Sequence, residues 1–153
     1  MIKQYFSTLM LVLVTSLTQA GDLPTTRDWA DASQAAQQEH VPILAVFESE
    51  DCGYCERLRK DILSPLSDTC SLQPPLVKEF DIDTGGKLTD FNGDPIRSRQ
   101  FKQRYNIYAV PTLVFLAPDG TPLTDPIVGY NLKQDEYRAL LRASLMDSYK
   151  ALH

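Results

Sequence analysis

Residues 42–63 read PILAVFESEDCGYCERLRKDIL. The first part, Ile43-Leu44-Ala45-Val46-Phe47, is apolar without alternation, the pattern of a strand buried on both faces. The last part sets Leu58 and Ile62 at helical spacing, so a helix is expected through about Leu63. Cys52 and Cys55 therefore fall where a buried strand gives way to a helix. Residues three apart at a helix start share one face, close enough for a disulfide. The thiolate is the reactive form of cysteine, and the free N–H groups and positive dipole end of a helix N-terminus stabilise it. Cys52 lies nearer that terminus and is the expected nucleophile. Cys55, deeper in the helix, is the expected resolving thiol. Glu48, Glu50 and Asp51 oppose thiolate formation, but exposed charges are screened within about 8 Å at physiological salt. Arg57, Arg59 and Lys60 read as a solvated helix face.

Three other readings of the pair stand beside redox chemistry. Zinc wants four ligands, usually as two paired motifs, and Cys70, His40 and His153 form no second pair. A purely structural disulfide would close a loop too short to constrain the unfolded chain much. A Cu(I) carrier would also use two thiolates, yet Met146 and His40 are remote in sequence. No metal site and no bound cofactor is expected.

Outward from this stretch, Thr25 and Thr26 are candidate caps for a helix carrying Trp29, Ala32, Ala35 and Ala36, with His40 at its end. Ser64 to Pro75 holds three prolines and reads as a loop; Cys70 within it fits a buried residue, a free thiol or a partner of the active pair. Leu76 to Ile82 reads as a strand, and Asp83 to Pro95, with Gly85, Gly86 and Gly93, as another loop. Ser98 is the expected cap of a short helix bearing Phe101 and Tyr105. Thr112 to Leu116 is a second continuous apolar strand. Pro118-Asp119-Gly120 favours a hairpin whose return ends near Val128. Asn131, with Gln134 in capping-box position, opens a terminal helix with Tyr137, Leu140, Leu141 and Leu145 as its stripe and Ser144 on the same side. Helices alternating with buried strands make an α/β sandwich around a mixed sheet.

The chain has 153 residues, enough for one domain with a proper core. Its 15 basic and 20 acidic residues give a net charge of −5, which argues against nucleic acid or an anionic membrane surface as partner. Three cysteines exclude a disulfide-dense scaffold. Residues 1–20 read as a cleaved secretory signal. Lys3 is the sole charge, Met10 to Val14 form the apolar heart, and Thr18 and Ala20 precede a cut before Gly21. The stretch is broken by polar residues and is shorter than the roughly 20 a spanning helix needs. The working domain is then Gly21 to His153, outside the cytosol, where disulfides persist.

Three segments in order resemble the thioredoxin superfamily: Pro42 to Phe47 leading into Cys52-Gly53-Tyr54-Cys55, then Tyr105 to Phe115 with Val110-Pro111-Thr112, then Val128-Gly129-Tyr130 before the terminal helix. The resemblance implies the thioredoxin fold, a central mixed β-sheet flanked by helices on both faces. It implies a cis bond between Val110 and Pro111, with Pro111 beside the sulfurs. It also implies substrate contact through Gly53, Tyr54, Val110 and Pro111, the Val110 backbone pairing with an extended substrate chain. Within the superfamily, Leu88 to Gly93 and Gly129-Tyr130 resemble secreted bacterial thioredoxins of the SoxW type, associated with sulfur oxidation. Cys-Gly-Tyr-Cys also resembles the tetrapeptide of DsbC-type isomerases, which carry a separate dimerisation domain that has no room here. The implied activity is thiol–disulfide exchange by a periplasmic monomer. It would act as a reductase of protein or small-molecule disulfides, supplied by a membrane thiol electron donor. A disulfide oxidase or isomerase is the alternative. Two departures matter. Tyr54 stands where cytosolic thioredoxins have proline. Val46 stands where they have a buried aspartate, so the usual proton acceptor for Cys55 is missing. Glu48, two residues on and on the same side of a strand, is the candidate substitute; a surface carboxylate is the alternative.

Overall fold

The computed structural model describes residues 25–66 and 73–153. The leader expected at residues 1–20 and Cys70 lie outside them. In chain order the elements are α1 (Trp29–Glu39), β1 (Ile43–Glu48), α2 (Gly53–Leu58) running into a π-turn (Arg59–Leu63), β2 (Leu76–Asp81), β3 (Lys87–Thr89), β4 (Pro95–Arg97), α3 (Ser98–Arg104), β5 (Thr112–Leu116), β6 (Ile127–Val128) and α4 (Gln134–Leu152).

The main sheet runs β2-β1-β5-β6. β1 is parallel to β2 and antiparallel to β5, and β5 is antiparallel to β6. The sheet is therefore mixed, and its two central strands are the two continuous apolar runs. Residues alternate between faces along each strand, which splits β1 between two cores. Ile43, Ala45 and Phe47 join Trp29 and Ala32 of α1 and Phe101 of α3 on one face. Leu44 and Val46 join Leu58 and Ile62 beyond the disulfide and Tyr137, Leu141 and Leu145 of α4 on the other. This is the thioredoxin fold.

Several local expectations need correction. The N-cap of α1 is Asp28, whose Oδ1 accepts the Asp31 N–H at 3.1 Å, rather than Thr25 or Thr26. An acid at that position also suits the positive helix end. His40 does end α1, in the left-handed conformation (φ 56°), and is exposed. Residues 83–95 are not all loop: β3 and β4 form a small antiparallel hairpin. Its strands are three residues long, too short for alternation to register, although Asn92-Gly93, with Gly93 at φ 87°, is a turn signal. Ser98 is the first residue of α3 rather than its cap. Its hydroxyl donates to the Gly86 carbonyl at 3.3 Å. The terminal helix starts at Gln134 with no side-chain cap, and the Gln134 amide donates to the Asp61 carbonyl at 3.1 Å instead. Leu140 is 40% exposed, whereas Ser148 is fully buried and donates to the Leu145 carbonyl.

The Asp119-Gly120 turn forms as expected. Gly120 has φ 85°, and a Cβ there would sit 2.5 Å from the Phe91 ring, so only glycine fits. The Tyr105 hydroxyl donates to the Gly120 carbonyl at 2.8 Å, tying this turn to the end of α3.

Candidate active site

β1 ends at Glu48, and the chain turns through Ser49, Glu50 and Asp51 to Cys52. Cys52 has extended backbone (φ −114°, ψ 90°) and is the N-cap of α2. Its carbonyl accepts the N–H groups of Cys55 and Glu56 at 2.9 and 3.1 Å, and its Sγ accepts the Cys55 N–H at 3.1 Å. A sulfur thus occupies the place a capping oxygen would take, sharing the Cys55 N–H with the Cys52 carbonyl. Cys52 and Cys55 are joined by a disulfide, with their Cα atoms 5.2 Å apart. Cys52 is half-buried while Cys55 is only 4% exposed. A partner sulfur arriving from solvent meets Cys52 first.

The β1–β5 register brings the proline segment to the same end of the sheet. Phe47 pairs with Thr112, so Glu48 and Pro111 are the next residues past that rung. The Val110–Pro111 peptide bond is cis. Pro111 is buried, and its carbonyl accepts the Gly129 N–H at 2.7 Å. Val110 is half-buried, while Gly53 and Tyr54 are exposed. The Arg57 guanidinium lies 4.5 Å from the Tyr54 ring centroid, which gives that exposed ring a cationic neighbour.

A cavity of about 290 Å³ adjoins the disulfide, lined by Thr25, Glu48, Ser49, Glu50, Cys52, Cys55, Glu56, Arg59 and Asp81. Here the structure departs from the sequence reading. Arg59 is no part of a solvated face. The π-turn that begins at Arg59 widens the helix, and its guanidinium reaches back to the strands. Nε donates to Glu79 Oε1 at 2.9 Å, and Nη2 donates to Glu79 Oε2 at 3.2 Å and to Glu48 Oε2. Glu48 is not a surface carboxylate; its side chain is 12% exposed. Glu50 and Asp51 are exposed, so screening applies to them and not to Glu48. Burial, then the nearby Glu79 and Asp81, push the Glu48 carboxyl up from 4.5 to about 7, against the opposing pull of Arg59.

Glu79 and Asp81 are site residues that the sequence does not single out. Both sit on β2 at alternate positions beside Phe80, and the lone signal was an acid pair inside an otherwise apolar-facing strand. Among the described residues, no group of three or more His, Cys, Asp and Glu is arranged to hold a metal ion.

The raised Glu48 carboxyl makes stability depend on pH with a definite sign. Below about pH 4.5 it is protonated in both the folded and the unfolded chain. As pH rises from there to about 7, the unfolded chain gives up this proton first, so folding stability falls. Glu48→Gln cannot ionise. Relative to wild type it should gain on the order of 2 kcal/mol between pH 5 and pH 8. Urea denaturation of the oxidised proteins at the two pH values checks this. Parallel pH slopes for both proteins would refute it.

A model of the thioredoxin-like domain matches residues 29–145. The chain belongs to this thioredoxin-like family. Solved structures agree on the fold. This thioredoxin-like protein is similar to a thioredoxin-fold protein from Helicobacter pylori, with 21% identity over 73% of each chain and a TM-score of 0.56. It is similar to DsbH oxidoreductase, with 19% identity over 90% of this chain and 95% of that one and a TM-score of 0.56. It is also similar to oxidised mitochondrial thioredoxin 3 from Saccharomyces cerevisiae, with 17% identity over 82% and 94% and a TM-score of 0.54. A search of curated protein sequences gives no match.

Proposed function

We propose that this thioredoxin-like protein is an exported thiol–disulfide oxidoreductase that reduces protein or small-molecule disulfides in the periplasm. The observation that carries the reading is the asymmetry of the pair. Cys52 is accessible and capped by an N–H at the helix start, whereas Cys55 is buried one turn in. In the reduced protein the Cys52 thiolate attacks a partner disulfide, forming a mixed disulfide and expelling one partner thiolate. Cys55 then attacks Cys52 Sγ, its proton passing to Glu48, and the second partner sulfur leaves with the electron pair. The product is a reduced partner and the Cys52–Cys55 disulfide. Gly53, Tyr54, Val110 and Pro111 form the contact surface for the substrate chain, and the Val110 backbone is suited to strand addition.

The leader-like residues 1–20 support export. The Leu88 to Gly93 segment and Gly129-Tyr130 support a SoxW-type role beside sulfur oxidation. A membrane thiol donor is required by this reading, since an oxidising compartment would otherwise hold the pair oxidised. The reduction potential tests direction. Equilibration of the Cys52–Cys55 pair with defined thiol buffers should give a value near thioredoxin's, roughly −270 mV. A value near about −120 mV would mean that the reduced form is strongly stabilised, and the protein would be an oxidase.

A further inference from the structure

The β1–β2 ladder pairs Val46 with Glu79 and Glu48 with Asp81. Partners in neighbouring strands project to one face, so all four point to the side where α2 and its π-turn pack. Glu79 is 1% exposed. A carboxylate that deep is costly unless it is paired and hydrogen-bonded, and Arg59 grips it through both Nε and Nη2. The same Nη2 also donates to Glu48, so one guanidinium nitrogen holds an oxygen of each carboxyl. Two like charges held on one nitrogen repel, which favours a proton on one of the two carboxyls.

The charge count points the same way. With both acids ionised, two carboxylates share one guanidinium among the described residues. Asp81, the next acid on this face, is taken up by the Asp83 N–H at 2.9 Å and the Thr84 hydroxyl at 2.6 Å. Glu50 and Glu56 line the same cavity but are exposed. Cys52 and Cys55 are the other titratable groups that line it among the described residues.

We propose that Glu48 and Glu79 act as one carboxyl pair that takes and returns a single proton for Cys55, with Arg59 as the positioning residue that holds the two together beside the disulfide. The proposal rests on the reading of Cys55 as the resolving thiol. As Cys55 attacks Cys52 Sγ, the Cys55 S–H bond breaks and its proton goes to the pair. The Cys52–Cys55 bond forms, the bond from Cys52 to the partner breaks, and the partner sulfur leaves with the electrons. When a donor thiol reduces the disulfide again, Cys55 departs as thiolate and the pair gives the proton back. The pair alternates between one proton and none, which suits a Glu48 carboxyl near 7.

Two measurements on the full chain test this. In the reduced, unsubstituted protein carrying ¹³Cδ-glutamate, the Glu48 and Glu79 carboxyl carbons should report one common titration step, as a coupled pair does. A Glu48 step with Glu79 flat through it overturns the pair. The second measurement follows Cys55 attack directly, as release of thionitrobenzoate from its mixed disulfide with Cys52, against pH. Glu79→Gln removes the neighbouring acid and should move the acid limb of that profile down by about one pH unit. Arg59→Met removes the cation and should move it up, and Arg59→Lys should bring it back toward wild type. An unmoved limb in both Glu79→Gln and Arg59→Met, with release intact, overturns the pair alone. Absence of release from the wild-type protein instead overturns the resolving role of Cys55. Should Arg59→Met fail to fold, the carboxyl titration and Glu79→Gln still decide.

Discussion

Cys52→Ser is expected to lose disulfide exchange completely, whereas Cys55→Ser captures its partner and does not release it. The two outcomes follow from where each sulfur sits. Cys52 is half-buried at the helix start, with the Cys55 N–H 3.1 Å from its sulfur, so it is the group that can meet a partner and carry negative charge. Serine there keeps the cap hydrogen bond but supplies no nucleophile able to form a disulfide. Cys55 is 4% exposed and is bonded to Cys52. Without it, the first step still forms a mixed disulfide and the second step is missing. Neither substitution should unfold the chain, because the bridge spans a sequence separation of three and closes almost no loop. Thionitrobenzoate release and non-reducing mass spectrometry distinguish the two proteins. Equal trapping by both would sink the assigned roles.

Trp29→Ala should cost roughly 3–5 kcal/mol of folding stability. Trp29, the sole tryptophan, is 0% exposed. Its ring lies 4.8 Å from Phe101, 5.3 Å from Phe91 and 6.4 Å from Phe80 between centroids. It joins α1 to strand β2, to the β3–β4 turn and to α3, so truncation leaves a cavity bounded by four separate elements that cannot all close in. Set against a total stability of about 5–15 kcal/mol for a domain of this size, the loss approaches what the fold can bear. Trp29→Phe keeps most of the volume and removes an indole N–H that has no partner among the described residues, so its cost should stay below about 2 kcal/mol. Guanidinium denaturation followed by far-ultraviolet circular dichroism measures both. A Trp29→Ala loss under about 1 kcal/mol would show that α1 is not clamped in this way.

The parts of the molecule that were legible in the chain share a property: each is written within a few neighbouring residues. Ile43 to Phe47 and Thr112 to Leu116 are unbroken apolar runs, and only strands covered on both faces suit them. Cys52 and Cys55 sit at the junction of such a run with a helical pattern, which places Cys52 at the helix start and Cys55 within it. Asp119-Gly120 marks its own turn. The β3–β4 hairpin was lost because three-residue strands carry no readable period, and the Asp28 cap because Thr25 and Thr26 offered equally good side chains nearby.

What could not be read lies between strands. Arg59 looks like any basic residue on a helix until the π-turn and the packing of α2 on the sheet aim it at β1 and β2. Glu79 looks like a solvent-facing residue until β2 pairs with β1 and places it beside Val46. Glu48 was a candidate by position, but burial and a second acid 31 residues further along the chain decide its proton affinity. Local pattern thus settles most of which elements form and where the two cysteines sit on them, because hydrophobic period and helix-end position are short-range. The proton chemistry is settled only in the folded protein, because desolvation and Coulomb interaction depend on distances that exist once strand β2 and the π-turn are packed against β1.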